Sequence, residues 1–135
     1  MTIRYTVKKS WIGFALGAGL VALPLAAWAD ASTETSTATA HAGMAANATS
    51  LEMAHAHLHH TLNCLVGPHG HGYDSKAENP CSGQGNGAIP DTTDSAAKKS
   101  LEKAAAKARS ALRSKNLETV KKDAASIQSE LANVK

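Results

Sequence analysis

The sequence predicts an all-α fold: a small helical bundle of about three helices with a long Gly/Pro-rich loop and a disordered N-terminal linker. Two observations lead there. Leu51, Ala54, Leu58, Leu62 and Leu65 recur at spacings of three and four, the signature of one buried helical face. Further on, Ala97, Leu101, Ala104, Ala108 and Ala111 repeat that alternation, as do Leu117, Val120, Ala124, Ile127, Leu131 and Val134.

Residues 1–29 read as an export signal. Arg4, Lys8 and Lys9 give a positive start, and Trp11 to Leu23 an apolar run. Pro24 ends the run, and Ala27-Trp28-Ala29 offers small residues where signal peptidase reads them, so cleavage is expected before Asp30. The run is short for a bilayer span of about 20 residues, which disfavours a retained anchor. The expected address is the periplasm or the exterior, with no membrane association after signal removal.

Those three basic residues carry the whole formal charge of +3, so the remainder is formally neutral. Tyr73 is its one aromatic residue, and a core of Ala, Leu, Val and Ile buries little area per residue. From Lys98 onward, Lys and Arg outnumber Asp and Glu by ten to four, but they are interspersed on strongly helical segments. With no aromatic available for base stacking, a solvated helix face is expected there rather than a nucleic-acid surface.

Residues 30–44 are rich in Ala, Ser and Thr and are expected to form a flexible linker, because they bury too little to offset ordering entropy. The helical domain is then placed at 45–135. A His-rich helix spans 45–66, with Ser50 as a possible cap, and Gly67-Pro68 stops it. A Gly/Pro-rich loop covers 67–92, and a loop of that length is usually functional or disordered. Residues 93–135 form a helical hairpin, with Asn116 capping its second arm.

The chemistry concentrates in one region. All seven histidines fall between positions 41 and 71, with Cys64 and Cys81 interleaved or close by. Imidazole is the commonest protein ligand for zinc, copper and nickel, and at neutral pH it is mostly uncharged. With the leucine stripe turned inward, His55 and His59 lie together at its edge, while Met53, His57, His60 and Cys64 form a stripe on the other side. His69 and His71 are the candidate loop ligands. His41, outside the main helix, either joins a site or does nothing. The expected ligand set is therefore His55, His57, His59, His60, His69, His71 and Met53. Copper is the first choice because Met and His occur together, with zinc or nickel next.

In an exported chain an even cysteine count usually means a disulfide, so Cys64 and Cys81 are expected to pair; thiolates ligating metal are the alternative. The bond would pin the His69–His71 loop back toward His60. No Cys-x-x-Cys-His haem motif is present, and the Gly83–Gly87 run lacks the ending of a phosphate loop. The sequence therefore reads as a metal binder for buffering, sequestration or delivery, and not as an enzyme. The alternative is a non-catalytic periplasmic interaction module whose coiled-coil-like hairpin binds a partner or forms a homodimer.

Overall fold

The computed structural model describes residues 30–135, and the expected export signal lies outside the described residues. All regular structure there is helical: α1 (Ala31–Ala46), α2 (Leu51–Val66), a single-turn α3 (Ala88–Asp91), α4 (Ser95–Ala111) and α5 (Leu117–Ala132). The four long helices pack in the cyclic order α1, α2, α4, α5. Neighbours run antiparallel. His41 on α1 meets His57 on α2, and His55 near the start of α2 reaches Ser114 beyond the end of α4. Lys107 on α4 bonds Ser126 and Glu130 on α5. Leu58, Leu62, Leu65, Leu101, Val120, Ile127 and Leu131 fill the core between them. Among the described residues, no helix is long and apolar enough to cross a membrane.

The caps follow the sequence closely. Ser50 Oγ accepts from Met53 N, Asn116 Oδ1 from Thr119 N, and Asp94 Oδ1 from Ala97 N. Each satisfies one of the N–H groups that a helix start leaves unpaired.

The bundle has four long helices rather than about three, because residues 30–44, expected as a linker, lie almost entirely in α1. The reason is packing, not hydrophobicity. Asp30 caps α1 by accepting from Ser32 N, and Thr35, Thr37 and Thr39 return their hydroxyls to carbonyls four residues back. Ala38, Ala42 and Ala45 are fully buried, and small side chains let backbones approach closely enough to recover dispersion energy. Gly43 is part of this. A Cβ there would stand 2.5 Å from Gln128 Nε2 on α5, so a larger residue would displace the amide of that side chain, which lies against the α1 backbone.

The long connection from α2 to α4 is folded. Cys64 and Cys81 form the expected disulfide, with Cα atoms 5.2 Å apart. Asn63, wholly buried, is a second clamp: its Nδ2 donates to the carbonyls of Asp74 and Glu78, and its Oδ1 accepts from Asp74 N. The two ends of the connection cross at Gly67 and Gly87, with φ of 67° and 116°. A Cβ on Gly67 would fall 1.5 Å from Asn86 O, so the crossing requires glycine. Glu34 of α1 completes the junction by accepting from Gly87 N at 2.8 Å.

Candidate metal centre

The α1–α2 hairpin positions the site. On α2, His57 and His60 are three residues apart and share a face; Leu58, Leu62 and Leu65 fill the opposite side and fix how the helix is turned. On α1, Ala38, Ala42 and Ala45 do the same for His41. The antiparallel register is marked by Thr61, whose Oγ1 donates to His57 O within α2 at 2.9 Å and stands 3.4 Å from Ala38 O across the interface.

The three half-buried imidazoles converge. Ring centroids lie 5.6 Å apart for His41–His57, 5.0 Å for His41–His60 and 5.6 Å for His57–His60. Each residue offers a ring nitrogen, and the three nitrogens fall within 4.8 Å of one another, close enough to hold a metal ion. Nitrogens about 2.0–2.1 Å from a tetrahedral ion stand about 3.3–3.4 Å apart. His41 Nδ1 and His57 Nδ1 are already 3.4 Å apart. His60 Nδ1 is buried with no hydrogen-bond partner, a cost that an ion or a proton donor would remove.

Burial above all, and then the neighbouring imidazoles, hold His41 and His60 below the ordinary histidine range. The charge of Glu78, carried on the disulfide-bounded loop, acts on both rings in the opposite sense. The rings are thus held neutral, the form that coordinates metal. The sign for stability follows. This contribution is fully present above the ordinary histidine value of about 6.5 and is lost as pH falls through the lowered folded values. Metal uptake should fall in the same direction. Equilibrium dialysis at about pH 7.5 and about pH 5 checks this; undiminished uptake in acid would contradict imidazole ligation.

The other expected ligands are placed elsewhere. His55 Nε2 donates to the Ser114 carbonyl at 3.0 Å, tying α2 to the α4–α5 turn. His59 Nδ1 faces the Asp74 carboxylate at 3.5 Å. His69 and His71 are exposed and line an open groove of about 450 Å³ with Lys98, Glu102 and Arg109. Two cationic side chains in that groove disfavour a metal cation there. The disulfide does fold the loop back, but the groups that the loop brings to α2 are Asp74 and Glu78 rather than His69 and His71. Met53 is exposed on α2, one turn before His57.

His41 is the residue that the expected ligand set omits. The signal that could have found it is the run of small residues flanking it at Ala38, Ala42 and Ala45, which marks a close-packed helix face. No protein-family model, curated protein or solved structure matches this chain.

Proposed function

We propose that this is an exported, non-catalytic protein that binds a transition-metal ion through His41, His57 and His60, for buffering, sequestration or delivery. One observation carries the reading: three imidazoles from two antiparallel helices offer nitrogens within 4.8 Å of one another. Three protein ligands leave a coordination position for water or an incoming ligand, and the half-buried setting leaves it accessible. Both features suit an ion that must be taken up and released. Copper is the first choice, with zinc or nickel next, since imidazole serves all three and copper(II) binds nitrogen sites most tightly. The Cys64–Cys81 disulfide and the signal-like pattern of residues 1–29 support an oxidising, exported setting.

The interaction-module reading has less support. Its apolar seam of Val120, Ala124, Ile127 and Leu131 is buried within the chain and is not offered to a partner.

The test is metal content after dialysis against limiting Cu(II), Zn(II) and Ni(II) in competition with a weak chelator. One ion per chain is expected for the native protein. His57→Ala/His60→Ala and His41→Ala should each remove it, while His69→Ala/His71→Ala should not. Equal uptake by native protein and triple-histidine variant would reject the centre.

A further inference from the structure

Met44 and Met53 are the large apolar side chains that the described residues leave exposed, at 49% and 45%. Their positions are correlated. Met44 lies three residues after His41 on α1, and Met53 four residues before His57 on α2. Because α1 and α2 run antiparallel with His41 against His57, both steps lead toward the same short turn, by about 4.5 Å and about 6 Å of helix rise. The two methionines therefore sit at nearly the same level, one on each helix.

They also share a face. Met53 and His60 are seven residues apart, about 20° around α2 from one another. Met44 is turned about 60° from His41, away from the buried Ala38, Ala42 and Ala45. The thioethers thus stand on the outward side of the α1–α2 pair that carries the imidazoles, one turn beyond them. Burial in the core would be the ordinary fate of such a flexible apolar side chain.

We propose that Met44 and Met53 form a soft site for monovalent copper, with an imidazole of the His41–His57 pair as third ligand. The inference rests on the triad reading, because that imidazole belongs to it. Thioether sulfur selects Cu(I) and contributes little toward harder divalent ions, which the imidazoles alone satisfy. The centre then has two adjoining parts, a nitrogen site for a divalent ion and a sulfur-rich site for Cu(I), on one exposed face. No electron transfer is implied; the two sites share one imidazole and differ in the thioethers, which serve Cu(I) alone.

The test uses the full chain and two metals. Cu(I) affinity is measured by competition with a chromophoric chelator, with ascorbate as reductant, and Zn(II) uptake by dialysis. The variant Met44→Leu/Met53→Leu keeps size and exposure, so its fold is preserved. It should lose at least about tenfold in Cu(I) affinity and retain native Zn(II) uptake. Ag(I), a redox-inert monovalent probe, should shift the methyl resonances of both methionines in the native protein. Unchanged Cu(I) affinity in the leucine variant, with Zn(II) still bound, overturns this inference alone. Zn(II) uptake indifferent to His57→Ala/His60→Ala overturns the triad reading and takes this inference with it.

Discussion

Replacing both cysteines, as Cys64→Ala/Cys81→Ala, should lower the unfolding free energy by about 3 kcal/mol and the melting temperature by roughly 15 °C. The bridge spans 17 positions, and a closed loop of about that length restricts the unfolded chain by an amount of this size. The effect is large against the fold's other resources. Much of the core is alanine, including Ala38, Ala42, Ala54, Ala104, Ala108 and Ala124, and each methyl buries little area. Without the bond, the loop segment around Asp74 and Glu78 is tied to α2 by the Asn63 hydrogen bonds and the His59–Asp74 contact. Thermal denaturation of oxidised native protein and variant gives the answer. A shift below about 3 °C would mean that the loop is held by its hydrogen bonds and not by the covalent bridge.

Glu34 sets the second expectation. Its side chain is fully buried, and burial first, then the nearby Asp91 carboxylate, raises its pKa to about 7 against the favourable bond from Gly87 N. Below the ordinary carboxylate range both folded and unfolded states hold the proton, and this group costs nothing. As pH rises toward 7 the unfolded chain releases the proton while the folded state keeps it, so stability declines. Above that point the penalty is constant. It amounts to about 2 kcal/mol once discounted for solvent at the loop edge. Glu34→Gln keeps the acceptor for Gly87 N and removes the charge. The variant should be more stable than the native protein at about pH 8, by about that amount, and lose the advantage at about pH 4.5. Urea titrations at the two pH values measure it. The difference between variant and native protein cancels the histidines, whose depressed values act in the opposite direction. A pH-independent difference would show that folding leaves the proton affinity of Glu34 unchanged, and would reject the upward shift.

Those residues also mark what the sequence could and could not reveal. The leucine stripe of α2 and the seam of α5 announce themselves, because bulky apolar residues at helical spacing have no better explanation. So do the caps at Ser50 and Asn116. α1 does not. Its side chains promise almost nothing, and its stability arises from how closely the buried Ala38, Ala42 and Ala45 let the neighbouring helices come, a property of the assembled bundle. With α1 unseen, His41 had no place in a site. Helical spacing could set His57 beside His60, but the third imidazole arrives from a helix 16 residues upstream, through an antiparallel register that no periodicity states. Asn63 was hidden for a similar reason: a polar residue on the edge of a leucine stripe gives no sign that a folded loop will come to meet it.

The placement of His41 on that alanine-rich helix has a consequence for how cargo is felt by the fold. α1 packs broadly against α2 and α5 but brings mostly small side chains to those interfaces, and an ion held between α1 and α2 would add a crosslink there. Free metal at a hundred times the dissociation constant stabilises a fold that binds it only when native by about 2.7 kcal/mol, nearly as much as the disulfide. Occupancy would therefore be written into how readily a single helix opens from the bundle. Under the proposed function, a metal-bound molecule would resist proteolysis within α1 better than a metal-free one, and limited proteolysis with and without metal would read occupancy directly.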